Sequence, residues 1–248
     1  MRPSVLVFSG LDPSGGAGIG ADIAAIAAQG AHALPLVTAL TVQDNNRVHE
    51  VAPVDPGLIV RQADALAAHI AISAVKIGIP GNRANADAIA HVIRRLRGTH
   101  PQLPVVLDPV LASGHGDALA HGDALATLAP LLGLATVAVP NLPEAQALGS
   151  IPCEHVLVTG GHGDGDTIVN RWHSAGGVHT WTWTRLPGQF HGSGCTLAAA
   201  IAGRLALGEP VREALDAAQR YCHATLAQSY AIAAGQRIPQ RQPGLGKE

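Results

Sequence analysis

Three short stretches of this chain carry residue types at spacings that fit chemistry on a phosphate. The first is "FHGSGCTLAAA", Phe190 to Ala200, where Gly192, Ser193, Gly194 and Cys195 precede an apolar segment. In that segment Leu197, Ile201 and Leu205 recur at i, i+4 and i+8, one face of a helix. Glycines at the mouth of a helix leave its first backbone N–H groups open, and those groups together with the helix dipole attract anions. The same field favours a thiolate. A free thiol has a pKa of about 8.5, and a helix N-terminus supplies the roughly one unit of depression that Cys195 needs to ionise near neutrality. A glycine-rich turn followed by a small buried cysteine would read the same way, so the other stretches decide. In "VPNLPEA", Asn141 and Glu144 stand three apart at a strand end, and Asp108 ends the preceding strand pattern in "LDPV". Oxygen donors so spaced suit Mg²⁺, which keeps several waters and bridges to substrate phosphates. Asn followed three residues later by Glu is also a helix capping box, and the two roles are compatible. The third stretch, "GLDPSGGAGIGAD", holds five glycines in its first eleven residues, a loop open enough for backbone N–H groups to approach a ligand. It matches neither GxGxxG nor GxxxxGK[ST]. Asp22 at its end could accept a hydrogen bond from a ligand or serve the dipole of the helix it begins. An anion hole, a carboxamide with two carboxylates for a cation, and a glycine-rich pocket together describe phosphoryl transfer.

The elements that must position these residues alternate along the chain. "SVLVFS" reads as a buried strand, followed by a helix with Ile19, Ile23 and Ile26 on one face and Gly30 as its stop. "LPLVTALTVQ" is a second strand, and a helix from about Pro56 aligns Ile59, Ala63, Leu66 and Ile70. "AVKIGI" is a third strand, and Ile89, Val92, Ile93 and Leu96 mark the next helix. "PVVLDPV", "ALATLAPLL" and "ATVAVPN" continue the strand, helix, strand order, and "LPEAQAL" leaves barely two helical turns before "HVLVTGG". "DTIVNRWHS" and "GVHTWTWTRL" alternate like an antiparallel hairpin, with "AGG" as the turn. Two helices follow, the second carrying Leu215, Ala218, Cys222 and Leu226, and "GQRIPQRQPGLGKE" reads as an unstructured tail from about 236 to 248. Repeated βα units predict an α/β domain whose mostly parallel sheet has helices on both faces. In such sheets ligands sit beyond the carboxyl ends of the strands, where the glycine-rich and acidic segments fall.

Composition narrows the class. The chain has 248 residues, 47% hydrophobic and 14% charged, with no linker and no internal repeat, so a single domain over 1–248 is expected. A net charge of −2, no Lys/Arg run and 3% aromatics speak against nucleic-acid binding. The N-terminal apolar run is too short for a signal peptide, no stretch approaches a membrane span, and three scattered cysteines suit a reducing cytoplasm. None of the thirteen histidines falls in an HExxH pattern.

"GLDPSGGAGIGAD", "TALTVQ", "VKIGI", "VVLDPV", "PNLPEA", "GGH" and "HGSGCTLAAAIA" occur in that order over nearly the whole chain. The sequence thereby resembles the hydroxymethylpyrimidine/phosphomethylpyrimidine kinases of thiamine biosynthesis. The resemblance implies a ribokinase-like, three-layer α/β/α fold and a homodimer. It implies ATP- and Mg²⁺-dependent phosphorylation of 4-amino-5-hydroxymethyl-2-methylpyrimidine and then of its monophosphate. Under it, Gln43 matches the side chain that bonds the aminopyrimidine, and Gly10, Ala17, Asp22, Ile79 and Val110 match other pocket positions. Cys195 matches the family's cysteine beside the acceptor hydroxyl, as base or as positioner, and Gly192, Ser193 and Gly194 match the anion hole. Asn141, Thr159 and Gly161 fall beside the nucleotide, with Asp108 and Glu144 toward the metal. The sequence departs from the family at Thr159, where a lysine is usual, and in "VLASGHGD", which lacks another. Ile79 replaces a methionine, and the segment after "NLPEA" is shorter by roughly a helix. Two cations fewer beside polyphosphate cost affinity or rate, since charge-assisted contacts are the strong ones, and His115 or His162 would offset part of this. Two other functions fit the same residues: a pyridoxal or pyridoxine kinase, and a pyrimidine-binding protein without productive ATP use.

Overall fold

A computed structural model describes residues 1–112, 116, 117, 119 and 122–242. Its nine strands form one sheet. They are β1 (Ser4–Leu11), β2 (His32–Gln43), β3 (Val48–Pro53), β4 (Ile72–Ile77), β5 (Val105–Leu107), β6 (Val137–Ala138), β7 (His155–Val158), β8 (Thr167–Ser174) and β9 (Gly177–Thr184). The spatial order is β3-β2-β1-β4-β5-β6-β7-β8-β9. The six strands from β2 to β7 in that order pair in parallel, β3 runs antiparallel to β2, and β7, β8 and β9 pair antiparallel.

The faces follow from alternation along the strands. Val5 and Val7 of β1 join one apolar cluster and Leu6 and Phe8 the other, all fully covered, which is how a central strand reads when both faces are buried. Over the first face lie α1 (Gly18–Ala28), α6 (Ser193–Ala206) and α7 (Val211–Ala227); over the second lie α2 (Pro56–Ala67), α3 (Arg83–Thr99) and α4 (Ala124–Leu132). The three layers and the late hairpin agree with the expected fold class. Helix α5 (Leu142–Leu148) has seven residues, the cramped segment seen in the sequence.

Four features depart from the sequence reading. Strand β3 was not expected: its one well-buried apolar side chain is Val51, so an edge strand of this kind leaves little alternation to read. Ile23 is 40% exposed although it falls within the expected stripe of α1. Ile19 and Ile26 of that stripe are buried, and Ala21, Asp22 and Ala25 complete the arc that meets the sheet and α6. The tail is also different over residues 236–242. Gln236, Ile238 and Arg241 are buried, and Ile238 and Arg237 make β-bridges to Tyr230 and Phe190. Finally, Asp22 is no helix-start carboxylate. It is fully buried, with Lys76 Nζ of β4 at 2.8 Å. Residues 243–248 lie outside the described residues, as does His115. Among the described residues no helix is long and apolar enough to cross a membrane.

Candidate active site

Between β1 and β4 the chain reverses its direction of travel across the sheet, having first passed outward to β2 and β3. Such a switch leaves a crevice beyond the carboxyl ends of the strands, and a cavity of about 330 Å³ lies there. Each strand delivers a residue to it. Strand β1 brings Ser9 and Gly10, β2 brings Gln43, the turn after β4 brings Ile79, and the turns after β5 and β6 bring Asp108, Val110 and Asn141. Thr159 and Gly161 follow β7, and Thr159 is held to Asn141 by a bridge that extends the β6–β7 ladder.

Local irregularities aim these groups. The β1–β2 register slips between Ser9 and Gly10, and the β2–β3 register slips at Gln43, bulges of the sort that re-aim a side chain. Thr38 Oγ1 donates to Ile79 O at 2.6 Å and fixes the backbone behind that residue. A side chain at Gly10 would meet Ile79 Cδ1 at 2.6 Å, so the glycine keeps the pocket floor open.

Two helices point their amino ends at the cavity, α1 through Ala17 and Gly18 and α6 through Gly192 to Cys195. Neither has a side-chain cap. By contrast α2, α3 and α4 are closed by Asp55, Asn82 and Asp123. The uncapped N–H groups of α6 are therefore available to an anion, while on α1 Ala17 N already donates to Asp12 and the Gly18 N–H faces Cys195. Gly192 carries the turn, with φ +76 and no room for a side chain against Gly16 O and Ala17 Cα. Helix α5 is different: Asn141 Oδ1 accepts from Glu144 N at 2.9 Å, and Glu144 Oε2 accepts from Asn141 N at 2.8 Å. The capping box is real, and it leaves the second Glu144 oxygen free of that role.

The electrostatics centre on three carboxylates and one lysine. Burial pushes the Asp108 carboxyl up to about 6, with Lys76 opposing and Asp22 adding to it. Burial, then the neighbouring Asp108 charge, pushes Glu144 up to about 7. Asp108 Oδ2 is buried without a partner. A carboxylate with an orphaned oxygen that also raises its neighbour Glu144 suits a divalent cation shared with substrate oxygens. Among the described residues no group of three His, Cys, Asp or Glu side chains could hold a metal by itself. Burial works against the Lys76 ammonium, but the Asp22 and Asp108 carboxylates outweigh it and keep the lysine above its ordinary range.

Cys195 corrects an expectation. Burial pushes its thiol up to about 12; Lys76 and the Gly18 backbone N–H pull the other way, while Asp108 and Asp22 add to the rise. Desolvation beside two carboxylates outweighs the helix terminus, so the thiol stays protonated with Asp108 as its nearby acceptor.

All the site residues named from the sequence line this one cavity except Asp22, which stands behind it, paired with Lys76. His162 also lines it. The sequence reading missed Asp12, which accepts from Ser14 N at 2.8 Å, from Ala17 N at 2.7 Å and from His191 Nε2 at 2.7 Å. Burial opposes it, but these bonds bring the Asp12 carboxyl down to about 2. The Asp-Pro-Ser-Gly order was the available signal, since Asp before such a turn bonds the backbone two residues on. Lys76 was legible too, because a lone charge in the apolar run "AVKIGI" must be paired if that strand is buried.

The fold and this cavity define an ATP-using kinase of the ribokinase-like class, a phosphotransferase. A family model described as phosphomethylpyrimidine kinase matches residues 12–154 and 146–240, and the chain belongs to that family. It is 35% identical to the hydroxymethylpyrimidine/phosphomethylpyrimidine kinase of Rhizobium meliloti, over 95% of each chain. Similarity to a thiamine biosynthesis multifunctional protein of Corynebacterium efficiens is 34% over 94% of this chain, which spans about a third (34%) of that longer protein. Among solved structures, a Bacillus subtilis pyridoxal kinase in an ADP complex superposes with a TM-score of 0.86 at 25% identity, covering 97% of this chain and 98% of the other. A phosphomethylpyrimidine kinase from Clostridium difficile superposes with a TM-score of 0.75 at 29% identity, covering 90% and 98%.

Proposed function

We propose that this protein transfers the terminal phosphoryl group of ATP to 4-amino-5-hydroxymethyl-2-methylpyrimidine, and then to the monophosphate, for thiamine biosynthesis. One observation carries the reading: Gln43, the open amino end of α6 and the Asp108–Glu144 pair all line a single cavity. The Gln43 amide both donates and accepts, as an N–C–NH₂ edge requires, and Gly10, Ala17, Ile79 and Val110 shape the pocket for the ring. Backbone N–H groups of Gly192 to Cys195 receive the transferred phosphoryl group, and Cys195 Sγ positions the acceptor hydroxyl with its proton directed to Asp108. Asn141, Thr159 and Gly161 flank the nucleotide. Asp108 and Glu144 would hold Mg²⁺, which when bound neutralises charge on the phosphate oxygens.

Purified protein with ATP, Mg²⁺ and the pyrimidine is expected to release ADP and form mono- and then diphosphate. Gln43→Leu should lower kcat/KM for the pyrimidine about 5- to 150-fold, the equivalent of about 1–3 kcal/mol for an unpaired buried edge. An unchanged KM would refute the pocket assignment. The close superposition on a pyridoxal kinase favours pyridoxal as a second acceptor, and a parallel assay decides it: faster turnover of pyridoxal than of the pyrimidine would replace the main reading. The proposal includes a cytoplasmic homodimer. Free thiols at Cys153, Cys195 and Cys222 support a reducing compartment. Exposed Leu11, Leu40 and Val42, adjacent on β1 and β2, support a second copy, which sedimentation analysis would test.

A further inference from the structure

Arg241 lies on the segment that the sequence presents as a tail, yet it is 5% exposed. Its backbone is anchored: Tyr221 Oη donates to Arg241 O at 2.8 Å, and Gln240 N donates to Thr225 O at 3.0 Å. Its guanidinium reaches the first turn of α6 and the loop after β1 together. Nε donates to Thr196 Oγ1 at 2.8 Å, and Nη2 donates to Gly16 O at 2.5 Å and to Gly192 O at 3.4 Å. None of the ion pairs among the described residues includes Arg241. A buried guanidinium is ordinarily matched by a carboxylate, because an uncompensated buried charge is costly. Here its partners are two carbonyls and a hydroxyl, and they belong to the loops that build the anion hole.

The geometry also has a direction. In a planar trans peptide the C=O and the N–H point opposite ways. Gly192 O accepts from Thr196 Oγ1 at 2.7 Å and Thr196 N at 3.0 Å, with Arg241 Nη2 as a longer third contact. All three hold it on the side away from the Ser193 N–H, and Ser193 lines the cavity while Arg241 does not. The positive charge stands behind the loop.

We propose that Arg241 is a positioning residue for the phosphoryl-binding loop: through Thr196 and Gly16 it braces the Gly192–Ser193 peptide toward the cavity, and it takes the bound phosphoryl anion as its counter-charge. This rests on the kinase reading for the identity of the anion. It also gives the site a cation where Thr159 offers none, supplied from behind the loop.

The test compares ADP with its non-hydrolysable triphosphate counterpart AMP-PCP, both with Mg²⁺ and without pyrimidine, by calorimetry on the full chain. Wild type is expected to bind AMP-PCP more tightly than ADP. Arg241→Met should weaken AMP-PCP about tenfold and ADP less than twofold, and Arg241→Lys should recover part of the difference. Equal weakening of both nucleotides in the Met and Lys variants would make Arg241 a structural strap only and overturn the proposal. Unchanged AMP-PCP affinity, or equal wild-type affinities for the two nucleotides, would do the same. If Arg241→Met does not fold, the Lys variant carries the same comparison. Failure of the kinase reading is separate, since it appears as wild-type protein that does not phosphorylate the pyrimidine.

Discussion

Replacing Cys195 by alanine separates two mechanisms that the sequence leaves side by side. With its thiol pushed up to about 12 by burial, Cys195 is almost wholly protonated at pH 7.5. A resident thiolate base of that kind would give a rate rising about tenfold per pH unit through the alkaline range. Asp108 differs: with its carboxyl at about 6, it is mostly ionised at pH 7.5 and stands beside the thiol as an acceptor. If Cys195 only positions the hydroxyl and passes its hydrogen bond to Asp108, alanine removes one hydrogen bond to a charged group, worth about 1.5–3 kcal/mol. That corresponds to a loss in kcat of about 10- to 150-fold, with pyrimidine KM nearly unchanged. Serine should restore part of it. The assay is kcat against pH from 5.5 to 9.5 for wild type, Cys195→Ala and Cys195→Ser. The expected wild-type profile climbs near pH 6 to 7 and then flattens. A unit-slope rise continuing above pH 8, lost in the alanine variant, would refute the reasoning and restore the thiolate base. Near-wild-type turnover of the alanine variant would remove Cys195 from the chemistry altogether.

Glu144→Gln keeps an oxygen for the Asn141 N–H but drops the charge, so it should raise the KM for Mg-ATP about tenfold. Because burial and Asp108 hold the Glu144 carboxyl up at about 7, its ionised form burdens the fold, and the same variant should unfold at equal or higher denaturant above pH 7. A lower midpoint there would show the cap to be its main role. Lys76→Met strands a buried carboxylate and should cost about 3–5 kcal/mol, while Lys76→Met/Asp22→Leu should cost much less than the two single changes summed. If a folded Asp22→Asn protein loses tenfold in pyrimidine affinity, Asp22 belongs at the ligand and not behind it. Asp12 falls from 3.8 to about 2 in the fold, so its bonds stabilise the protein above about pH 4 and that contribution fades as pH drops toward 2. Asp12→Asn should therefore cost about 2 kcal/mol at pH 7 and close to nothing at pH 2, read from urea midpoints.

What could be read in the sequence was what period and spacing encode. Strands buried on both faces announce themselves as apolar runs, and β1, β4 and β5 fell where such runs stand. Cavity residues were legible because the ligand side of a parallel sheet must be glycine-rich and polar, and an apolar chain makes those segments conspicuous. The misses share another cause, which is that partners far apart in the chain decided them. Ile23 lost its place because Asp22 had to face Lys76, 54 positions away. The pKa of Cys195 turned on Asp108 and on burial, neither of which is visible from the helix start. Residues 236–242 carry Pro239 amid Gln and Arg in a loop-like run, and only their neighbours order them: Asn45 Nδ2 donates to Gln236 O at 3.0 Å, and His191 N donates to Arg237 O at 2.9 Å.

That last segment bears on how the protein comes into being. Gly16 emerges from the ribosome early, yet the guanidinium that holds its carbonyl belongs to a residue 225 positions later. The phosphoryl-binding loop lies between them in the chain and touches both ends. A folding chain can therefore assemble most of its sheet while the cleft is still unfinished, and closure of that cleft waits for residues 236–242 to dock. Non-local closure of this kind is slow, because chain entropy is spent before the contacts form. The loop that lines the cleft is thereby tied to the slow end of folding, so refolding should restore the sheet before it restores nucleotide binding.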